Sequence, residues 1–400
     1  MLASFEVFLS LRRNFTHCYD AMHNCTPAVH RYLMAHVLGK SHFSAVSPST
    51  RLSLAQVTAF RRLAQRRLSH EPIQHIMQSW DFRQLRDLTV LSPLLVPRPE
   101  TESLVDLALY AVDSDAFQPP LILDVGSGTG AAGLALAAAA VAEKGHPRAA
   151  LIAVDSNGTA CAATLMNAMK LGMQSAVVSA PGMGKAARKA ARHTLAGAFQ
   201  DADGAVGGSS NSRVCVAVVH GDIMRRSTQK AVAEAATLFS PELGFAGGAP
   251  IVVCNPPYIT SAEADELDDT VLAHEDHLAL FGDLQAGSLV SGVGPIDGLS
   301  FTRALLRSAL PGIGAAMAAA APARGMQDTK LYLELGGAEQ VTQIRREAAA
   351  WGRLEDGDQS VLKIANLGCH RDLHQEIRFL EADLLWSGDA EQGGSDGAER

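Results

Sequence analysis

From residue 120 onward, short apolar segments alternate with segments of helical spacing, and this alternation constrains the fold more than any other feature. The apolar segments are LILDVG, ALIAVD, VCVAVVHGD, PIVVCN and LYLELG. The helical sequences TGAAGLALAAAAVAEKG and GTACAATLMNAMKLG follow the first two of them. Nearly unbroken apolar strands separated by helices are typical of a parallel sheet covered on both faces. We therefore predict an α/β fold with a doubly wound, mostly parallel sheet. SVLKIANL and EIRFLEADL are too close together for an intervening helix, which predicts a final antiparallel pair.

The chain of 400 residues exceeds the usual size of one hydrophobic core, so we expect more than one domain. In the first part of the chain, apolar residues recur at helical spacing, and Ser53 is a suitable N-cap for a helix that ends before Pro72. The predicted units are an N-terminal helical domain over 1–78, a hairpin linker over 79–98 and a large α/β domain over 99–386. Within the last, the Ala-, Gly- and Ser-rich residues 174–213 predict a low-complexity insertion, and the polar residues 387–400 predict a disordered tail.

Charge and cysteine content exclude several classes of protein. The net charge of −8 argues against a broad basic face that coats nucleic acid. Six cysteines without C-x-x-C pairs predict neither a disulfide framework nor a metal site. No apolar run reaches the length of a membrane span, so we expect no membrane partner. The first residues, MLASFEVFLSLRRNFTHCYD, fit either an organelle presequence or a first amphipathic helix.

Three glycines follow the first apolar segment, in the stretch DVGSGTG. Gly126, Gly128 and Gly130 would let the strand turn sharply into a helix and let backbone N–H groups approach a ligand. Asp124 would repel a pyrophosphate and attract an ammonium group, and the spacing departs from G-x-G-x-x-G, so we do not predict a dinucleotide site. A tight turn without a ligand is the alternative.

Two further carboxylates stand at the ends of apolar segments. Asp155 ends IAVD, where a carboxylate can accept both hydroxyls of a ribose, and Asp222 follows VVHG, where it could meet an adenine amino group. An Asp at a strand end can instead cap the next helix. Together with the glycines, these carboxylates indicate an adenosine-type ligand on a doubly wound sheet.

The stretch PIVVCNPPYI runs an apolar segment into Asn255, Pro256, Pro257 and Tyr258. The prolines have no N–H and a fixed φ, so the strand must end there in a stiff turn. The side-chain oxygen of Asn255 and a proline carbonyl could accept the hydrogens of a planar –NH2 group, on which Tyr258 could stack. Such a site would act by positioning and electrostatics, with no obligatory general base. A purely structural Pro-Pro turn is the alternative.

The glycine loop, the acidic strand ends and NPPY together resemble the class I S-adenosylmethionine-dependent methyltransferases, which implies a seven-stranded sheet of this kind. Further segments resemble the peptide chain release factor N5-glutamine methyltransferases, the HemK/PrmC family, in an organellar, mitochondrial-type form. These segments are RLSHEPIQHIMQSWDFRQL, LSPLLVPRPETESLV, HEDHLALFG and DGLSFTRALL. The resemblance covers most of residues 50–170 and 215–385.

The resemblance implies S-adenosylmethionine-dependent N5-methylation of the glutamine side-chain amide in the Gly-Gly-Gln (GGQ) motif of a class I release factor. It makes residues 99–386 the methyltransferase domain and assigns catalysis to Asn255, Pro256, Pro257 and Tyr258. It assigns cofactor binding to Asp124, Gly126, Ser127, Gly128, Thr129, Gly130, Asp155, Asp222, Ile223 and Asn255, and it implies no metal. Ile223 stands where the family often presents an aromatic ring to adenine.

Several alternatives stay open. NPPY alone cannot separate an amide from a base, so an adenine N6-methyltransferase acting on RNA or DNA is the second hypothesis, and a non-catalytic adaptor with the same fold is the third. The acidic charge and an aromatic content of 5% count against the second. We expect a monomer without stable nucleic-acid binding, in the mitochondrion, with plastid or cytoplasm as alternatives. Glu100, Thr101 and Glu102 could face the cofactor cleft, although the last two could simply start a helix; Glu275 could line the substrate cleft or be solvated.

Overall fold

The computed structural model describes residues 27–40, 50, 52–112, 119–201, 213–239, 250–283, 296–320, 329–351 and 362–386. The possible presequence or first helix within residues 1–26 and the predicted tail at 387–400 lie outside these ranges.

The N-terminal part of the described chain is helical, with α1 at Pro27–Val37, α2 at Leu54–Leu68 and α3 at Ile73–Met77. Ser53 caps α2 as the sequence predicts: its side chain accepts from the backbone N–H of Gln56, whose own side chain accepts from the N–H of Ser53. The three helices bury a small core of their own, which includes Leu33, Phe60 and Ile76. An antiparallel hairpin follows, with β1 at Trp80–Phe82 and β2 at Leu85–Leu88.

The main sheet contains eight strands in the spatial order β5-β6-β4-β3-β7-β8-β10-β9. The first six in chain order are β3 Leu121–Val125, β4 Ala149–Asp155, β5 Gln174–Ser179, β6 Val214–His220, β7 Ile251–Cys254 and β8 Thr329–Glu334. All six run parallel. The sheet is completed by β9 Leu362–Arg371 and β10 Ile377–Trp386, which pair antiparallel with each other, and β10 also pairs antiparallel with β8. The predicted doubly wound, mostly parallel sheet with a final antiparallel pair is confirmed.

The strand count differs from the expected seven because β5 adds an edge strand inside the stretch predicted as a low-complexity insertion. Four of its six residues are only half-buried, so its sequence lacks the unbroken apolar run of the inner strands. A helix, α7 at Lys185–Asp201, follows it. Residues 174–179 and 185–201 are therefore regular secondary structure joined by a short turn, whereas 202–212 lie outside the described chain.

Helices cover both faces of the sheet. The period-two alternation of the strands sends Ile122 to one face and Leu123 to the other. The Ile122 face carries α4 Pro99–Tyr110, α5 Ala131–Ala142 and α6 Gly158–Lys170. The Leu123 face carries α8 Arg226–Leu238, α12 Leu310–Ala320 and α13 Ala338–Trp351. The remaining elements are a 3₁₀ turn at Ser261–Glu266, α9 Asp269–His274, α10 His277–Leu280, α11 Ser300–Ala304 and a π turn at Leu305–Ala309. Among the helices of the described residues, none combines the length and apolarity that a membrane crossing needs.

The chain leaves the centre of the sheet in opposite directions at one point. The strand β3 lies between β4 and β7; α5, which follows β3, covers one face, and α12, which lies between β7 and β8, covers the other. Such a topological switch point opens a crevice beyond the carboxyl ends of the two strands, and ligands of doubly wound folds bind there. Val125 of β3 pairs with Cys254 of β7, so Gly126 and Asn255 leave the sheet side by side.

Candidate functional site

The glycine loop turns β3 into α5. Gly126, Gly128 and Gly130 all have left-handed backbone, with φ of +72°, +56° and +80°, a region in which a side chain is strained. A Cβ would meet no atom within 4 Å at Gly126 or Gly128, but at Gly130 it would lie 2.9 Å from a side-chain carbon of Leu134. The first two glycines therefore border open space where a ligand could approach the backbone, and the third is needed for packing.

The side chains of Ser127 and Thr129 point away from that open space. Both residues are buried, and the Ser127 hydroxyl lies 3.4 Å from the hydroxyl of Thr164 on α6. Thr164 also donates to the carbonyl of Gly128, and Asn167 donates to the carbonyl of Thr129. Any contact of Ser127 or Thr129 with a ligand would thus come from the backbone. Thr164 and Asn167, which fix the loop from behind, were not expected from the sequence, where they appear only as polar positions in a helix.

Asp124 is fully enclosed beneath the loop. Its Oδ2 accepts from the N–H of Gly133 at 3.0 Å, and a Cβ on Gly133 would lie 2.6 Å from that oxygen, so the position requires glycine. Burial, reinforced by the nearby charge of Asp155 and opposed by the Gly133 hydrogen bond, raises the pKa of Asp124 to about 7. The carboxyl group is positioned to support the loop from inside.

Asp155 joins the glycine loop to the end of β4. Its two carboxylate oxygens accept from the N–H groups of Gly128 and Asn157 at 2.9 and 2.8 Å. Burial raises the pKa of Asp155, and Asp276 acts in the same direction. The carbonyl of Asp155 accepts from Gly221, which brings the end of β6 alongside. The prediction that Asp155 binds the hydroxyls of a ribose is consistent with this position, because each carboxylate oxygen keeps a second lone pair that can accept from a hydroxyl.

Asp222 and Ile223 follow β6 at the same edge. Asp222 is partly exposed, accepts from the N–H of Met224 at 3.0 Å and lies 3.5 Å from the Arg225 guanidinium. Ile223 is buried in the core on the Leu123 face, with 5% of its surface exposed. Asp222 thus lies where a ligand above Asp155 could reach it, whereas the Ile223 side chain packs into the protein. Their assignment to adenine stays a prediction.

The NPPY turn continues β7 beside the glycine loop. The side chain of Asn255 donates through Nδ2 to the hydroxyl of Thr101 on α4 at 3.1 Å. Thr101 in turn donates to Glu334 at the end of β8, at 2.8 Å, and the Tyr258 hydroxyl lies 3.5 Å from the other oxygen of that carboxylate. Burial raises the pKa of Glu334 to about 7 and also raises the pKa of Tyr258, to which the charge of Glu334 contributes. Glu334 was missed because its sequence context, LYLELG, shows only a strand.

Two glycines and a glutamine hold the backbone of the turn. A Cβ on Gly282 would lie 2.5 Å from the carbonyl oxygen of Pro257, and one on Gly298 would lie 2.0 Å from that of Tyr258. Gln340 donates through Nε2 to the carbonyls of Tyr258 and Asp297, both at 2.8 Å. The carbonyls of Pro257 and Tyr258 are therefore covered by the chain. The carbonyl of Pro256 accepts no backbone hydrogen bond from another described residue.

Glu275, Glu100 and Glu102 lie in three different settings. Glu275 is buried and accepts two hydrogen bonds from Arg98, both at 2.8 Å, and one from the N–H of Val96 at 3.2 Å. It therefore pins the segment after NPPY to the linker before α4, and it is not solvated. Glu100 lies at the start of α4, 3.9 Å from His374, and Glu102 accepts from the backbone of the β1–β2 turn.

The crevice is acidic. Asp155 and Asp276 are linked through Asn157, which donates its side-chain amide to Asp276 at 2.9 Å and its backbone N–H to Asp155. Asp124 lies behind them, and Glu334 lies on the NPPY side. Such a charge pattern favours a cationic ligand that also donates hydroxyl hydrogens, and it disfavours phosphates. Within the described ranges, no group of three or more His, Cys, Asp or Glu residues could hold a metal ion.

Comparison with known proteins adds to this geometry. The family model described as the PrmC N-terminal domain matches residues 26–77, which contain α1, α2 and α3. Part of the chain is similar to release factor glutamine methyltransferases. It is 38% identical over 153 residues to the MTRF1L release factor glutamine methyltransferase of Homo sapiens. It is 35% identical over 144 residues to the release factor glutamine methyltransferase of Bordetella pertussis and 36% identical over 143 residues to that of Escherichia coli.

These matches are partial. Each covers 36% of this chain, and they span 43% of the human, 50% of the Bordetella and 48% of the Escherichia protein. The chain thus spans about half the length of the curated relatives it matches. Among solved structures, a putative class I S-adenosylmethionine-dependent methyltransferase from Listeria monocytogenes aligns over 92% of this chain and 82% of its own, at 8% identity and a TM-score of 0.33. So distant a likeness adds nothing to the topology observed directly.

Proposed function

We propose that this protein transfers a methyl group from S-adenosylmethionine to the side-chain amide nitrogen of the GGQ glutamine in a class I peptide chain release factor. The observation that carries the proposal is the adjacency of two sites. The glycine loop and the NPPY turn leave neighbouring parallel strands side by side, so a methyl donor on one would face an amide on the other.

The crevice fits the methyl donor. S-adenosylmethionine is a cation with a sulfonium and an ammonium group, and it carries two ribose hydroxyls. Open space above Gly126 and Gly128 admits a ligand to the backbone, Asp155 keeps lone pairs for the hydroxyls, and the surrounding carboxylates suit the positive charges. When bound, the cofactor supplies an electrophilic methyl carbon.

The NPPY turn fits an amide acceptor. With the carbonyls of Pro257 and Tyr258 covered, Pro256 supplies the proline carbonyl that can accept from an –NH2 group. Asn255 would supply a second oxygen, and Tyr258 would stack on the planar amide. The amide nitrogen bonds to the methyl carbon as the carbon–sulfur bond breaks; that electron pair remains on sulfur, and one amide proton leaves to solvent. Positioning and electrostatic stabilisation are sufficient for such a transfer.

The names of the relatives support the proposed substrate class. Curated relatives that align with this chain are named for the methylation of release factor glutamine, and the PrmC N-terminal domain match covers the helical region. The acidic crevice and the net charge of −8 give no support to an adenine N6-methyltransferase on RNA or DNA. The protein would thus act in translation termination.

The experiment is an incubation with methyl-labelled S-adenosylmethionine and a class I release factor, followed by mass mapping of the modified residue. We expect one methyl group on the GGQ glutamine and none on a release factor with Gln→Ala at that position. Tyr258→Ala should lower kcat, whereas Tyr110→Ala, at an exposed position at the end of α4, should not. Equal labelling of both release factors would refute the proposal.

Monomeric state and mitochondrial location are also part of the proposal, with plastid or cytoplasm as the alternatives for the latter. Two arginines near the start, Arg12 and Arg13, support the location, although they lie outside the described residues. Light scattering of the purified protein tests the first statement, and imaging of a fluorescent fusion in its native cells tests the second.

A further inference from the structure

The side chain of Asn255 is linked to a buried carboxylate through one hydroxyl. The hydrogen bonds run from Asn255 Nδ2 to Thr101 Oγ1 at 3.1 Å and from Thr101 Oγ1 to Glu334 Oε2 at 2.8 Å. Thr101 is 6% exposed and Glu334 1% exposed. Thr101 lies on α4, Asn255 directly follows β7 and Glu334 ends β8. No sequence pattern connects these three positions.

The chemistry of these groups gives the chain of hydrogen bonds a direction. A threonine hydroxyl carries one proton, and an ionised carboxylate can only accept. Thr101 must therefore give its proton to Glu334, and towards Asn255 it can only accept. Asn255 must then donate from its –NH2 group to Thr101, so its side-chain oxygen faces the crevice. A flipped amide would set its oxygen against the oxygen of Thr101 with no proton between them.

We infer that Thr101 and Glu334 are positioning residues that hold the Asn255 amide with its oxygen towards the substrate amide. This inference rests on the proposed function, because the orientation matters only if Asn255 accepts a substrate N–H. Without Thr101, the Asn255 amide could rotate and offer a donor where the substrate also brings a donor. The hydrogen-bonded series Glu334–Thr101–Asn255, here called the relay, thereby selects the one orientation of the Asn255 amide that can bind an –NH2 group.

The relay also stabilises the positive charge that develops on the substrate amide during methyl transfer. As the amide nitrogen gives its lone pair to the methyl carbon, positive charge grows on the nitrogen and its hydrogens. The negative charge of Glu334 polarises Thr101 and then Asn255, which strengthens the Asn255 oxygen as an acceptor. A fixed dipole aimed at a developing charge lowers the barrier because it needs no reorganisation during the reaction.

The groups around Glu334 set the pH range of this effect. Burial is the largest influence and opposes the ionised form, as does Glu100 on α4, whereas the hydrogen bonds from Thr101 and Tyr258 and the charge of Arg378 on β10 favour it. The balance raises the pKa of Glu334 to about 7. Below that pH a protonated Glu334 can donate to Thr101 and no longer dictates the direction, so kcat should rise as the pH increases through about 7.

The test compares hydroxyl-deleting and hydroxyl-keeping variants. Thr101→Val keeps the shape and removes the hydroxyl, and we expect kcat to fall about 100-fold with the affinity for S-adenosylmethionine unchanged. Thr101→Ser should recover most of the loss. Thr237→Val, which removes an exposed hydroxyl that bonds only within α8, should leave kcat unchanged. Glu334→Gln can still accept from Thr101, so it should lower kcat less and abolish the pH dependence near 7.

A readout without turnover separates this inference from the proposed function. In protein labelled with ¹⁵N-asparagine, the Asn255 side-chain amide protons should exchange slowly and shift with pH near 7, and both effects should vanish in Thr101→Val. If the wild type shows these signals but does not methylate a release factor, the relay stands and the proposed substrate is wrong. Unchanged kcat in Thr101→Val, or Asn255 protons that do not respond to that substitution, would overturn the inference.

Discussion

Gly298 offers a test of how closely the chain is packed against the NPPY turn. Its φ is +71°, and a Cβ there would lie 2.0 Å from the carbonyl oxygen of Tyr258. Gly172, after α6, has nearly the same φ, +75°, but a Cβ there would meet no atom within 4 Å. The pair Gly298→Ala and Gly172→Ala therefore shares the backbone strain and differs in the close approach.

The expected losses of stability and kcat follow from the backbone strain and from the close contact. The left-handed backbone costs an alanine about 1–2 kcal/mol, which both variants bear. Overpacking against a carbonyl adds about 1–3 kcal/mol for Gly298→Ala alone. Real Cβ atoms essentially never approach within 3.0 Å, so the separation between this Cβ and the Tyr258 carbonyl oxygen must increase by at least 1.0 Å. We expect the Tyr258 carbonyl to take up much of this displacement. Because a displacement of about 1 Å can reduce a rate about 100-fold, kcat for methyl transfer should fall by roughly that factor in Gly298→Ala only.

The assay is equilibrium unfolding in urea for both variants, with kcat measured on the same preparations. We expect the free energy of unfolding of Gly298→Ala to lie about 1–3 kcal/mol below that of Gly172→Ala at equal m values. Equal stability of the two variants, together with a wild-type kcat for Gly298→Ala, would refute the close approach to Tyr258.

Two further predictions concern buried charge. The pKa of Asp124 is raised from 3.8 to about 7, so its contribution to stability is complete below about pH 4 and is lost as the pH rises to about 7. Relative to wild type, Asp124→Asn should therefore gain up to about 1.4 kcal/mol of unfolding free energy per pH unit across that range. The measurement is urea unfolding without cofactor. A difference between the two proteins that does not change with pH would contradict this. Arg98→Met leaves the buried Glu275 without its ion-pair partner and should cost about 3 kcal/mol, whereas the double variant with Glu275→Leu should cost less; costs that simply add would show that the pair is not coupled.

The sequence predicted the sheet well because its inner strands are long apolar runs with helices between them. It did not predict β5, since an edge strand with four half-buried residues has no such run and lies in a stretch of small residues. The same reasoning explains the count of eight strands rather than seven. Alternation identifies strands that are covered on both faces, and it is weak at the edge of a sheet.

The residues of the candidate site were likewise indicated by the sequence only in part. The sequence could predict that Gly126, Asp155 and Asn255 lie near one another, because each stands at the end of an apolar run and the parallel pairing brings these strand ends together. Glu334 was missed, and Thr101 was only weakly indicated, because their roles depend on contacts across 154 and 233 positions of the chain. Glu275 was expected in the substrate cleft or in solvent, but it is buried against Arg98, a pairing between residues 177 positions apart.

We propose that one crevice holds both the methyl donor on the glycine loop and the glutamine amide on the NPPY turn. The most direct measurement is a crystal structure of the protein with S-adenosylhomocysteine and a release factor. We predict that the glutamine amide nitrogen will lie about 2.7–3.2 Å from both the Asn255 side-chain oxygen and the Pro256 carbonyl oxygen, with the cofactor over Gly126 and Gly128. A glutamine bound away from Asn255, or a cofactor outside the crevice between β3 and β7, would show that the two sites do not act together as proposed.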